Sequence, residues 1–176
     1  AILEFISRAQ VGMERESDES VFAVRMAGRS LVEAVKGVTH LQKNLKVHLH
    51  SDNADVREAY HNIQIQIAEV LRELETIRKG GEQELAILSL NDTKLAIRQQ
   101  DVLANGKLDE LVRGNRISAA DATSLINDNG YAYGVCKNLI ALGEVLFSAH
   151  DEEERDAERS LALDDDEIDT MTGEWF

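Results

Sequence analysis

Residues 124–147, SLINDNGYAYGVCKNLIALGEVLF, carry polar and small side chains inside a segment whose apolar spacing predicts a helix. Ser124 and Asp128 stand four residues apart, as do Asn127 and Tyr131, so each pair shares a helix face. Hydroxyl, amide and carboxylate groups arranged in this way could bind a ligand or a partner between helices. They could equally satisfy one another in a packing notch, and the sequence leaves both interpretations open.

Two glycines belong to the same stretch. Gly130 and Gly134 are also four residues apart and leave one strip of the helix without side chains. A glycine inside a helix costs about 1 kcal/mol relative to alanine, so a compensating contact is expected. The spacing therefore predicts that another helix approaches closely at this strip. Gly28 and Gly37, in an earlier predicted helix, raise the same expectation.

Asp92 falls on the apolar line of a predicted helix, where a lone buried carboxylate is costly unless it is paired. It is expected to hydrogen-bond to a neighbouring helix, to lie at the wet edge of the core, or to hold a metal or an anion. His40, Asn44 and His48 form a second polar row with four-residue spacing. Because Asn44 separates the histidines and no acid accompanies them locally, a solvated face is favoured over a metal pair.

Sequence signatures of enzymes are missing from the chain. It has no Gly-rich phosphate loop, no G-x-S-x-G, no H-E-x-x-H and no Cys-x-x-Cys. E-x-x-H occurs once, at residues 58–61, and not twice as in di-iron bundles. We therefore predict no catalytic, cofactor-binding or metal-ligating residues and a non-enzymatic function, with a metal-dependent bundle enzyme as the least favoured alternative. The single cysteine, Cys136, excludes an internal disulfide and is interpreted as a small buried hydrophobic residue.

Charge is unevenly distributed along the 176 residues, whose formal net charge is −14. Residues 151–176 hold twelve acids and two bases, a net of −10, whereas the remainder carries a net of −4. An acidic chain is repelled by nucleic acid and by anionic lipid headgroups, so neither is expected as a direct ligand. No run of eighteen apolar residues occurs, which predicts no membrane insertion by this chain.

The absence of proline favours long uninterrupted helices. Apolar residues recur at steps of three and four, which predicts four long helices, at residues 21–50, 54–79, 82–112 and 119–150. A break is expected at residues 16–20, where Ser17 or Asp18 would cap the first of them. The most regular apolar line contains Val56, Tyr60, Ile63, Ile67, Val70, Leu74 and Ile77.

Short connections make consecutive helices antiparallel neighbours, so we predict an all-α, up-down four-helix bundle. The bundle is expected to span residues 17–151, preceded by a short extra helix or arm at 1–16 and followed by an acidic tail at 152–176. The tail is interpreted as solvated and flexible, although it could dock on a basic surface. The regular apolar line of residues 56–77 could also mediate homodimerisation, as in a signalling adaptor.

Two stretches, SLVEAVKGVTHLQKNLKVHL (30–49) and RGNRISAADATSLINDNGYAYGVCKNLI (113–140), resemble the cytoplasmic C-terminal region of bacterial sodium/phosphate cotransporters. That region is similar to the phosphate-uptake regulator PhoU and is a helical bundle. The resemblance covers roughly residues 15–150. It implies that a membrane transporter precedes the chain in a longer protein, and that the chain itself lies on the cytoplasmic side of the inner membrane.

The resemblance further implies a non-enzymatic domain that modulates phosphate uptake through contacts with the transporter, and it allows a homodimer. PhoU proteins bind metal clusters through repeated E/D-x-x-x-D motifs. The nearest matches here, Ser124-x-x-x-Asp128 and Asn105-x-x-x-Asp109, lack the first acid, so no metal ligand is carried over. The candidate partner or ligand contacts are Asp92, Ser124, Asn127, Asp128, Tyr131 and Gly134.

The same candidates lead to an expectation about substitutions. Asp128→Ala or Gly134→Leu is expected to harm regulation or assembly more than Glu69→Ala, which changes the outer face of the bundle.

Overall fold

The computed structural model describes residues 15–80, 83–99, 105–147 and 161–172. Within these residues it contains six helices and no β-strand, which confirms the all-α prediction. The helices are α1 (Arg15–His48), α2 (Ala54–Gly80), α3 (Gln83–Gln99), α4 (Lys107–Arg113), α5 (Ala119–Phe147) and α6 (Asp165–Thr172). They pack as a helical bundle around an apolar core.

α1 is continuous through residues 16–20, so the predicted break at that point is wrong. The extra helix or arm predicted at 1–16 falls mostly on residues 1–14, which lie outside the described part of the chain.

α2 follows its predicted apolar line. The buried members of this line are Val56, Tyr60, Ile63, Val70 and Ile77, and the members partly buried against the same core are Ile67 and Leu74. Because the line packs against other helices of the same chain, it is already covered. In this packing the line is not available to a second copy, and homodimerisation stays a prediction.

α1 buries only part of the apolar line that its sequence predicts. The predicted line is Val24, Ala27, Leu31, Val35, Val38, Leu41, Leu45 and Leu49. Its buried members are Ala27 and Leu41, its partly buried members are Leu45 and Leu49, and its members that are 43–58% exposed are Val24, Leu31, Val35 and Val38. α1 packs mainly against α5 and much less against α2. The apolar side chains on one side of this line are consequently exposed.

The helix predicted at 82–112 is two helices in the structure, so the single-helix prediction is wrong. α3 ends at Gln99 and α4 begins at Lys107, with residues 100–104 outside the described part. Gly106 precedes α4 with a φ of 72°, a left-handed conformation that favours glycine. The side-chain oxygen of Asn105 accepts a hydrogen bond from the Lys107 backbone N–H at 3.0 Å, which supports the turn into α4.

α5 is the central helix of the bundle, since it contacts α1, α2, α3 and α4. It is uninterrupted from Ala119 to Phe147, which confirms that its polar patch belongs to a helix and not to a loop. α1 is antiparallel to α5, because Asn44 meets Asp128 whereas the earlier residue Gly37 meets the later residue Val135.

α2 runs parallel to α5. Tyr60 reaches Asp128 near the start of both helices, and Leu74 reaches Gly143 near the end of both. α1 and α2 therefore run in opposite directions. α2 and α5 run in the same direction and contact each other across the core.

α3 crosses α5 in the opposite direction. Leu90 lies at Gly143, while the later residue Arg98 lies over the ring of the earlier residue Tyr133, with 5.6 Å to the ring centroid. The long helices α1, α2, α3 and α5 thus alternate in direction along the chain.

Close helix contacts occur at Gly37 and Gly143 and not at Gly130 and Gly134. A Cβ atom at Gly37 would collide with a side chain of α5, and one at Gly143 would collide with a side chain of α2. A Cβ atom at Gly130 or Gly134 would meet no described atom within 4 Å. The prediction of close approach is confirmed for Gly37 and wrong for the other pair.

The acidic C-terminal region contributes a helix to the bundle. A reciprocal cap begins α6: Asp164 accepts a hydrogen bond from the Glu167 backbone N–H at 2.8 Å, and Glu167 accepts one from the Asp164 backbone N–H at 3.0 Å. Ile168 is buried, and α6 packs against α3. Residues 161–172 are therefore not the solvated tail that composition predicts, and residues 148–160 lie outside the described part.

Candidate functional site

A buried polar network joins α1, α2 and α5. Asp128 is 2% exposed, and one oxygen of its carboxylate, Oδ2, accepts two hydrogen bonds. The Tyr60 hydroxyl donates one at 2.6 Å, and the side-chain amide of Asn44 donates the other at 2.9 Å. Hydrogen bonds to a buried carboxylate are stronger than neutral ones, so this Asp128 network (Asn44, Tyr60 and Asp128) fixes the alignment of three helices.

Tyr60 is fully buried, and the ring of His48 stacks on it with the centroids 4.4 Å apart. Burial, followed by the hydrogen bond to the Asp128 carboxylate, raises the pKa of the Tyr60 hydroxyl well above its ordinary value. The hydroxyl therefore remains a hydrogen-bond donor across the physiological pH range. Asn44 and His48 contact α5 and α2 and are half-buried, so the prediction of a solvated face is wrong for them, whereas His40 is exposed as predicted.

The residues predicted as contacts within 124–134 are divided between the core and the surface. Asp128 is buried, Ser124 and Gly134 are half-buried, and Asn127 and Tyr131 are exposed. The carboxylate serves the packing of the bundle, whereas the Asn127 amide and the Tyr131 ring reach the surface. The structure thus separates two roles that the sequence placed in a single patch.

An exposed aromatic pair marks the surface side of this stretch. Tyr131 is 42% exposed and stacks on His40 of α1, with centroids 4.7 Å apart and planes inclined by 9°. Asn127, Gly130 and Gly134 lie within about 100° of one another and of Tyr131 around the helix, at 100° per residue. We call these four residues and His40 the Tyr131 face. An aromatic ring beside glycines gives a shallow surface of the kind that a protein partner contacts.

Asp92 is exposed, so its predicted place on the buried line of α3 is wrong. The buried residues of α3 are Ile87, Leu90, Asn91 and Ile97. The Asn91 side chain donates a hydrogen bond to the Leu161 carbonyl at 2.8 Å and accepts one from the Leu163 backbone N–H at 3.1 Å. Asn91 is thus the buried polar residue of α3, and it holds the segment that leads into α6.

Asn91→Ala should release residues 161–172 from α3. The change leaves two backbone groups without their partner, at a cost of about 1–3 kcal/mol. Hydrogen exchange of the α6 amides should accelerate by about tenfold or more, with exchange in α2 unchanged. Asp92→Ala is the matched control, because Asp92 is the adjacent exposed residue. Similar acceleration in both variants would contradict the role assigned to Asn91.

A cavity of about 270 Å³ lies between α3, α5 and α6. Its lining residues are Lys94, Ile97, Tyr133, Lys137, Ile140, Ala141, Glu144, Asp164 and Ile168. Lys94 pairs with Glu144 at 2.5 Å and donates a hydrogen bond to the Leu163 carbonyl at 2.9 Å. The cavity has an apolar wall and a charged rim, and it depends on α6 being docked. Sequence reasoning missed it because the C-terminal region was assigned to solvent.

Cys136 is fully buried, as predicted. Burial, with a further contribution from the Glu69 carboxylate, raises the pKa of the Cys136 thiol to about 12. The thiol is therefore protonated at neutral pH and is a poor nucleophile.

Among the described residues, no group of three or more His, Cys, Asp or Glu side chains is placed to hold a metal ion. None of the described helices is both long and apolar enough to cross a membrane.

Comparisons with protein-family models, with curated proteins and with solved structures find no match to this chain. The interpretation of its site accordingly depends on the geometry above. Sequence reasoning missed the partners of Asp128, although one signal was present. A tyrosine on a buried line, such as Tyr60, needs an acceptor for its hydroxyl, and Asp128 is an acid inside another helix.

Proposed function

We propose that this chain is a non-enzymatic regulatory domain of a sodium-dependent phosphate transporter. It lies on the cytoplasmic side of the inner membrane as part of a longer membrane protein. It modulates phosphate uptake through contacts with the transmembrane part of the same protein. In this proposal α1, α2, α3 and α5 form an antiparallel up-down four-helix bundle of the PhoU-like kind, for which their alternating directions are the support.

The Tyr131 face is the observation that carries the proposal. Its residues belong to the two stretches, 30–49 and 113–140, that resemble the transporter domain. The side chains of His40, Asn127 and Tyr131 are exposed and are not part of the core. Because Tyr131 keeps 42% of its surface exposed, a partner that covered it would remove further apolar area from water. Tyrosine is among the residues that contribute most at protein interfaces.

Two other features favour a scaffold over a catalyst. The Asp128 network uses its acid to align helices and leaves its Tyr60 hydroxyl protonated. At the cavity, Lys94 is paired with Glu144, an arrangement of opposite charges and not a nucleophile beside a base.

The double change Asn127→Ala/Tyr131→Ala should weaken regulation without unfolding the domain. Both side chains are exposed, so the free energy of unfolding should fall by no more than about 1.5 kcal/mol, mainly from the lost stacking of Tyr131 on His40. Loss of an interface tyrosine should weaken binding to the transmembrane part about fivefold or more. Phosphate uptake by cells expressing the parent transporter measures regulation, and thermal unfolding followed by circular dichroism measures stability.

Glu69→Ala and Asp92→Ala are the matched controls, since both residues are exposed and lie outside the Tyr131 face. Neither should alter uptake. Indistinguishable uptake in all variants would remove the Tyr131 face from the proposal. A parent reading frame without several hydrophobic spans upstream of Ala1 would remove the transporter assignment itself.

A further inference from the structure

From residue 21 onward α1 is basic although the chain is acidic, whereas its first six residues, 15–20, have a net charge of −2. Residues 21–48 contain five lysines and arginines against one glutamate, a net of +4, whereas the whole chain has a net of −14. The five basic residues are Arg25, Arg29, Lys36, Lys43 and Lys46, and all of them are exposed. Positive charge is therefore concentrated on one helix. The net charge of the whole chain does not reveal this concentration.

α1 also exposes more large apolar side chains than any other described helix. It carries seven of the fifteen such side chains found among the described residues: Phe22, Val24, Met26, Leu31, Val35, Val38 and Val47, which are 39–60% exposed. They remain uncovered because α1 packs mainly against α5. Exposed apolar side chains in this number mark a surface that another molecule covers.

The basic and apolar side chains lie in two separate sectors of the exposed side of α1, whose centres are about 130° apart. At 100° per residue, two sets each fall into a narrow sector, about 60° for the apolar set and about 40° for the basic set. The apolar set is Val24, Leu31, Val35 and Val38, and the basic set is Arg25, Arg29, Lys36 and Lys43. Phe22 and Val47 lie at the two ends of the basic row, roughly 40 Å apart at 1.5 Å per residue.

We propose that the exposed side of α1, which carries these apolar and basic sets, docks on the surface of an anionic phospholipid bilayer without spanning it. The exposed apolar side chains enter the boundary between headgroups and acyl chains, and the basic side chains extend to the lipid phosphates. Basic and apolar side chains spread over so wide an arc and length of one helix suit a planar interface, whereas a single partner helix would cover a narrower seam. This inference does not depend on the proposed role in phosphate transport.

The overall negative charge of the chain does not oppose this docking. Electrostatic interactions are screened over about 8 Å at physiological ionic strength. A helix with its side chains is about 10–12 Å thick, so acids on the far side of α1 are more than one screening length from the lipid. The acidic helix α6 packs against α3. A second copy of α1 is a poorer occupant, because it would cover the apolar set and leave the basic set without an anionic partner.

The test is sedimentation of the 176-residue chain with vesicles of phosphatidylcholine alone and with vesicles containing one-third phosphatidylglycerol. We expect binding to the anionic vesicles only, and weaker binding as salt is added. Arg29→Glu/Lys43→Glu should weaken binding more than about tenfold, because each base near an anionic surface contributes about fivefold. Val24→Ser/Val35→Ser should weaken binding while keeping its salt dependence.

Arg72→Glu/Arg113→Glu is the charge-matched control, since it reverses two exposed bases on α2 and α4. Circular dichroism of each variant verifies the fold. The proposal is overturned if the chain ignores anionic vesicles or if the control loses as much binding as Arg29→Glu/Lys43→Glu. It is also overturned if light scattering shows that Val24→Ser/Val35→Ser converts a dimer into a monomer, which would make this side of α1 a self-interface.

Discussion

Replacing Asp128 with alanine should lower the free energy of unfolding by roughly 3 kcal/mol. The substitution removes the acceptor of two hydrogen bonds and leaves the fully buried Tyr60 hydroxyl without its partner. The Asn44 amide loses its bond in the same step. A buried polar group without a partner costs more than the net gain from an ordinary hydrogen bond, which is why the expected effect is large. Chemical denaturation followed by circular dichroism measures it.

A double-mutant cycle separates the Asp128 network from ordinary packing. Tyr60→Phe alone should cost about 1.5–3 kcal/mol, because it leaves a buried carboxylate with one hydrogen bond fewer. In Tyr60→Phe/Asp128→Ala the donor and the acceptor are both gone, so the loss should fall short of the sum by about 1 kcal/mol or more. Asn127→Ala, on the exposed side of the same helix, should have almost no effect. Additive losses in the cycle would contradict the network.

Alkaline pH provides a second measurement of the same network. The pKa of the Tyr60 hydroxyl is raised in the folded chain, so as the pH rises past about 10 the unfolded chain loses this proton first. The unfolded state then binds fewer protons than the folded state, and stability falls with rising pH. Tyr60→Phe should show a shallower fall above pH 10 than the parent chain. Equal slopes would mean that Tyr60 is not held protonated by folding.

Gly37→Leu should destabilise the bundle by at least about 3 kcal/mol. Even a Cβ atom at this position would collide with the Val135 side chain, and it would lie 3.5 Å from the Tyr131 carbonyl oxygen. Valine is branched at Cβ and stiff, and the carbonyl belongs to the backbone of α5, so neither group can move away cheaply. α1 and α5 would have to separate, which would also stretch the hydrogen bond between Asn44 and Asp128.

Gly134→Leu is the matched comparison, since it makes the same chemical change in a helix without a described neighbour within 4 Å. Removing a helical glycine there should leave stability unchanged or raise it by about 0.5–1 kcal/mol. Thermal unfolding followed by circular dichroism gives both values. If Gly134→Leu lowered stability more than Gly37→Leu, the close helix contact would lie at Gly134, as the sequence indicated. The contact described at Gly37 would then be contradicted.

α2 and α5 were predictable as helices because their signals are local. The line from Val56 to Ile77 repeats at alternating steps of four and three and packs against the core along its length, so the pattern and the buried face coincide. α5 keeps its helical state despite Asn129 and Gly130, because its buried residues lie on several sides and make contacts with four other helices.

α1 and α3 show where the same reasoning fails. On α1, Leu31 and Val38 continue the apolar spacing of Leu41 but stay exposed, since α1 packs mainly against α5 among the described helices. On α3, the apolar spacing fits Asp92, yet the buried side is turned by one residue to Asn91. At Asn91 the side-chain amide bonds to the backbone of the C-terminal segment, a contact that no local pattern in α3 predicts.

The sequence by itself determined that this chain is helical and where most of its long helices run, because the spacing of apolar residues and the lack of proline act over a few turns. Only the tertiary structure decided which face of each helix is buried and which polar residues meet. Asp128 bonds to residues 68 and 84 positions away, and such pairings depend on how the helices are placed, which no local pattern encodes. The same placement decided that the basic and apolar side of α1 remains open.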